Sequence, residues 1–250
     1  MKPLSMIETL RPRTRTADCH LVGRPTSVSL HKSGAQALET FISAVDFPCL
    51  GAKAALAHSQ IRMIDAGDLQ SADHDQAIVA QLQQFASHAE ADTLFVSFVV
   101  LFAPAPILSE FVFEQALWQR LQSMHAIDRR QFDWDPRVSC DPKSAHFSLS
   151  MGGKGFFVIG LHPGASRPAR RFRQPALVFN LHSQFEQLRS DGRYEKLRAA
   201  IIARDVALAG SPNPMLAIHG RESQARQYSG RQVDSGWSCP FHALLRSERA

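Results

Sequence analysis

One stretch of this chain, GLHPGASRPARRFRQPALVFNLHSQFEQLR at 160–189, gathers two histidines, Gly-Pro turns and a burst of arginines between two apolar runs. His162 falls at the end of a predicted strand, just before Pro163 and Gly164, where an imidazole leaves the sheet and can act as a metal ligand. The competing reading is a half-buried histidine bonded to a nearby backbone group. Arg167, Arg170, Arg171 and Arg173 follow within a dozen residues. Guanidinium groups this close repel one another unless something holds them, so the loop implies a carboxylate or phosphate ligand, ion pairs with the chain's own acids, or plain solvation.

His182 ends the next predicted strand. Behind it, Ser183 and Glu186 have the S-x-x-E spacing of a capping box, which puts His182 just outside a helix. Glu186 could instead face a cavity as an acid, or partner a cationic substrate. Arg226, Tyr228, Ser229, Arg231, Trp237 and Cys239 lie in a tail without amphipathic period, read as a loop across a pocket with aromatic lid and arginine grips. Cys239-Pro240 raises a thiolate ligand against the plainer reading of a buried thiol, and Cys49 is expected to pack near a helix start.

Familiar motifs are missing. SMGGKGFF lacks P-loop spacing, and neither G-x-G-x-x-G after a strand, nor H-E-x-x-H, nor a G-x-S-x-G elbow occurs. Four cysteines, Cys19, Cys49, Cys140 and Cys239, stand far apart without C-x-x-C spacing, so neither a zinc ribbon nor a disulfide framework is signalled, and a reducing cytoplasm is the simplest home. The run at 93–108 is too short and too proline-broken to cross a membrane, and the start has no apolar stretch that reads as a signal peptide. At 250 residues, 44% hydrophobic and net +5, the chain reads as a globular protein whose arginines suit anionic ligands, with nucleic acid a weak fit.

These residues need elements to place them. An irregular arm is expected over 1–33, and 34–250 is read as one domain. A helix with Ala37, Leu38, Phe41, Ile42 and Val45 on one face comes first. A second is expected over Gly51–Ile64, a third from His74, and a fourth capped by Ser109 with Phe111, Ala116, Leu117 and Leu121 packed. A strand at 94–102 lies between the last two. HFSLS and GFFVIGLH flank a glycine turn, PALVFNLH follows, and two helices broken at a Gly end at Gly210. Clustered strands favour α+β, with a small, mainly antiparallel sheet flanked by helices.

FPCLGAKAAL, HFSLSMGGKGFFVIGLHPGASRPARRF, PALVFNLHSQFEQLR, RDVALAGSPNPML, ARQYSGR and WSCPF resemble, in order and spacing, the YqcI/YcgG family over roughly residues 40–241. The resemblance implies a haem-dependent oxygenase that N-hydroxylates a guanidino or amino nitrogen of an arginine-like amino acid, using haem b, O2 and electrons from an external donor. On that footing His162 is the first choice of axial ligand, His182 the second and Cys239 the third. Ser166, Arg167, Arg170, Arg171 and Arg231 would hold the cofactor, with guanidinium groups on the propionates. Glu186 and Tyr228 would serve catalysis, Arg226 would help shape the substrate side, and Glu186 or Asp205 could meet a cationic substrate. His219 departs from the family pattern. Two alternatives stand beside this: a non-catalytic haem-binding or haem-sensing protein, and a basic protein that binds a phosphorylated metabolite or nucleic acid.

Overall fold

A computed structural model of the chain describes residues 27–88, 93–216 and 222–245, with side chains from residue 34 onward. Cys19, His219 and most of the expected arm lie outside these residues. Helix α1 spans Ser27–Ser43, so the chain is helical before the arm was expected to end. Its apolar spacing buries Leu38 and Ile42, while Val45 falls beyond the last turn and is exposed.

The expected second helix divides in two. Helix α2 covers Leu50–Ala57 and strand β1 covers Ile61–Asp65. Ser59, with φ 56°, turns the chain between them, and the amides of His58, Ser59 and Gln60 bond back to the last helical carbonyls. That stop uses neither Gly nor Pro, which is why periodicity alone reads through it. Helix α3 (Asp75–His88) leads to β2 (Ser97–Leu101), which pairs parallel to β1.

Helix α4 (Glu110–Asp128) begins where Ser109 Oγ accepts from the Val112 amide at 3.3 Å. Ala116, Leu117 and Leu121 are buried as the spacing predicts, whereas Phe111 is turned outward. Strands β3 (Leu149–Met151) and β4 (Lys154–Leu161) form a two-residue hairpin whose Gly152 and Gly153 both take positive φ, the geometry that matches strand twist. Strand β5 (Ala176–Leu181) completes a sheet in the order β1-β2-β5-β4-β3, antiparallel except for β1 with β2. Helices α5 (His182–Ser190) and α6 (Tyr194–Ala209) follow, and α6 stops at Gly210 in the left-handed conformation.

Side-chain alternation divides the sheet between two cores. Phe98, Val100, Leu177, Phe179, Phe156 and Val158 face α3, α4 and the C-terminal segment, while Val99, Leu101, Ala176 and Leu161 face α1 and α2. The architecture is thus mixed α+β with one mostly antiparallel sheet covered on both faces. No helix among the described residues is long and apolar enough to cross a membrane.

Candidate functional site

Strand β4 carries His162 immediately past its end. The His162 amide donates to the Arg170 carbonyl at 3.1 Å, and its own carbonyl accepts from the Ala165 amide at 3.3 Å, which folds residues 162–170 back against the sheet. Its ring is only 1% exposed, and neither nitrogen has a hydrogen-bond partner. Phe113 of α4 stacks on it, centroids 4.1 Å apart and planes 16° apart. That contact depends on Gly160, where a Cβ would meet Phe113 Cε1 at 2.7 Å. Burial pulls the His162 pKa down to about 4, Arg170 pulls the same way and Glu110 opposes, so the imidazole is neutral at pH 7. The half-buried, backbone-bonded histidine is therefore not what forms: His162 is enclosed, uncharged, and has two unused nitrogens.

The arginines are committed elsewhere. Half-buried Arg170 donates to the carbonyls of Gly160, Tyr228 and Gln227 at 3.0–3.3 Å, and desolvation brings its pKa down to about 10. Arg167 pairs with Asp205 and reaches the Ser211 carbonyl at 3.1 Å. Arg171 holds the carbonyls of Ala165 and Ser166, both at 2.9 Å. Arg231 bonds Glu114 through Nε at 2.7 Å, and Arg226 donates to the carbonyls of Val233 and Asp234. Arg173 also has a partner. The reading of ion pairs with the chain's own acids holds for Arg167, which pairs with Asp205, whereas Arg170 and Arg171 bond to backbone carbonyls instead. Ser166, expected to touch a cofactor, donates from both its amide (2.9 Å) and its hydroxyl (2.7 Å) to Glu110 Oε1.

His182 stands apart. Leu161 faces Ala176 and Phe156 faces Leu181 across the antiparallel β4–β5 pair, so His162 and His182 lie at opposite ends of it, roughly 20 Å apart at strand rise. The expected capping box does not form, because α5 starts at His182, two residues too early, with Leu181 at the N-cap and no side-chain cap. His182 Nδ1 instead contacts Ser148 Oγ at 2.9 Å, and Nε2 contacts Glu186 Oε1 at 3.0 Å. Glu186 is half-exposed and also takes Arg189 at 2.5 Å. Burial lowers the His182 pKa despite Glu186 beside it. Both histidine nitrogens are thus in use.

The tail is core rather than lid. Tyr228 is fully buried, its hydroxyl donating to the Phe156 carbonyl at 3.0 Å and accepting from the Leu149 amide at 3.3 Å, which ties β3 to β4. Its ring stacks on Trp118. Ser229 donates to Glu114 Oε1 at 3.1 Å. Trp237 packs at the margin of the same cluster. Cys239 is half-buried with its pKa pushed up to about 12 by burial, so it is a thiol at neutral pH and not a ready thiolate. Cys49 caps α2, its Sγ accepting from the Ala52 amide at 3.4 Å, as expected of a thiol near a helix start.

Sequence reasoning passed over Glu110, Phe113 and Gly160. Glu110 reads as an ordinary acid at a helix start and Phe113 as a core residue. Gly160, a lone glycine inside a strand, does carry a signal, since that pattern marks close approach of another group.

A family model described as the YqcI/YcgG family matches residues 38–242. No curated protein and no solved structure matches the chain.

Proposed function

Because the chain belongs to the YqcI/YcgG family, we propose that it is a haem-dependent oxygenase that hydroxylates an amino or guanidino nitrogen of a small, arginine-like amino acid. In this reading His162 would hold the haem iron. The observation that carries it is the buried, neutral imidazole whose two nitrogens lack partners, since such a group costs stability unless it has another use. His182 has both nitrogens engaged and Cys239 is protonated, so neither competes well.

The fit to haem is good at the ligand and weaker at the propionates. Arg170 is tied to three backbone carbonyls and does not serve. Arg167 and Arg171 are the two that would hold propionates, exchanging bonds to Ser211 and to Ser166 at the protein surface. Haem bound here supplies O2 activation with electrons from an external donor. The chain's own part is to hold the ring of His162 against Phe113, to keep it unprotonated, and to exclude water from it.

The non-catalytic haem-binding reading has one observation in its favour. Glu186 is at the far end of β4–β5 and the Tyr228 hydroxyl is bonded to backbone, so neither expected catalytic residue stands free beside His162. An absorption spectrum of protein produced with sufficient iron tests the proposal. A Soret band that is lost in His162→Ala and kept in His182→Ala is the expected result. A chain that takes up no haem overturns both readings, and a haem spectrum that added arginine leaves unshifted favours the sensor.

A further inference from the structure

Three elements meet at His162. Behind it is β4, inside the sheet; on one face is the buried Phe113; the loop through Arg170 is held by three side-chain bonds to backbone. The coil from Ala103 to Ser109, sequence APAPILS, lies against the turn that follows His162. Ala103 is bonded to the Gly67 carbonyl, but among the described residues no hydrogen bond holds 104–108, and Pro104 and Pro106 have no amide to offer. Residues 103–107 are exposed, Ile107 at 73%.

This coil approaches the histidine loop closely at Gly164. A Cβ on Gly164 would collide with the Leu108 carbonyl oxygen, and would lie 3.1 Å from Ile107 and 3.5 Å from His162 Nδ1. Next to that contact, Ser166 donates twice to Glu110, the residue that follows the coil. These two bonds to one carboxylate oxygen are the polar link from the 163–166 turn to the coil's end.

We propose that the 103–109 segment is a gate over His162, latched by the Ser166–Glu110 bonds, and that a planar cofactor reaches the imidazole by the side it opens. The access route rests on the proposed role of His162, whereas the gate itself does not. With the latch open, Glu110 trades two protein donors for water at a half-exposed position, a small cost, while strand β4, Phe113 and the Arg170 loop would have to give up core packing or buried backbone bonds. The exposed side chain of Ile107 rides on the moving part.

Deuterium exchange at histidine C2, read by mass spectrometry on the full haem-free chain, reports solvent access to each imidazole without needing a ligand. Two variants act on the gate by different means. Glu110→Ala removes the latch; Gly164→Ala leaves the latch atoms in place and wedges a methyl under Leu108. Both are expected to speed exchange at His162 roughly tenfold, the scale of one lost hydrogen bond to a charged group, with His125 and His182 unchanged. Glu110→Gln, which keeps an acceptor for Ser166, is expected to restore most of the protection. Unchanged His162 exchange in Glu110→Ala, or equal acceleration at all three histidines, overturns the gate. Added haemin separates the two ideas: faster Soret growth in Glu110→Ala supports the route, and accelerated exchange without any Soret band leaves the gate standing while the haem reading fails.

Discussion

Among single residues, Tyr228 and His162 make opposite cases. Tyr228 looks reactive in the sequence, yet its hydroxyl is spent on the Leu149 amide and the Phe156 carbonyl in the core. Tyr228→Phe is expected to cost about 1–3 kcal/mol, seen as a lower urea midpoint at unchanged slope, because it strands two buried backbone groups. A catalytic hydroxyl would give the reverse, lost turnover at unchanged midpoint. His162 reads in the sequence either as a metal ligand or as a half-buried, backbone-bonded histidine, and its buried ring with two unbonded nitrogens does not match the second. Glu186 was misread because a capping box depends on where a helix starts, and a start is uncertain by one or two residues from sequence.

At the scale of elements, the C-terminal segment is held to α4 by a short series of bonds. The Gln122 side chain exchanges two hydrogen bonds with the His242 backbone, Arg129 reaches the Leu245 carbonyl at 3.2 Å, and His125 Nε2 accepts from the Leu244 amide at 2.9 Å. His125 can accept only when Nε2 is unprotonated. Burial, first, and the charge of Arg129 lower its pKa. A histidine pKa depressed in the folded state means the unfolded chain binds the proton more tightly, so this contribution is full above the ordinary histidine pKa and is lost as pH falls below it. Amide protection across 239–245, taken relative to the intrinsic exchange rate at each pH, is therefore expected to fall in the wild type as pH drops below the ordinary histidine range of about 6.5. In Gln122→Ala the segment should exchange faster at every pH, with the acid step retained; a flat profile in the wild type would remove His125 from this role.

For the whole molecule, the two cores share strands β2, β5 and β4, whose side chains alternate between them. Neither face can lose order alone without exposing the back of the other. Phe98→Ala in the larger core and Leu101→Ala in the smaller should each lower one common calorimetric transition, by roughly 5–15 °C. Two separable transitions would mean that the faces unfold independently. Sequence by itself determined the elements whose signals are local: the capped start of α4, the Gly-Gly hairpin, the Gly210 stop, the alternating strands, and the family-bearing blocks around His162. Only the tertiary structure decided the rest. Strand β1 was hidden because a left-handed serine, not a glycine, ended the helix before it, and its parallel partner lies a helix away in the chain. The arginines found carbonyls and acids from distant segments, which charge counting cannot assign. Antiparallel pairing sent His162 and His182, twenty residues apart in one motif, to opposite ends of the sheet. Spacing along a chain fixes what neighbours can do together within a few residues; which groups share a site depends on how strands pair and which faces are buried, and both are settled by contacts between segments far apart in sequence.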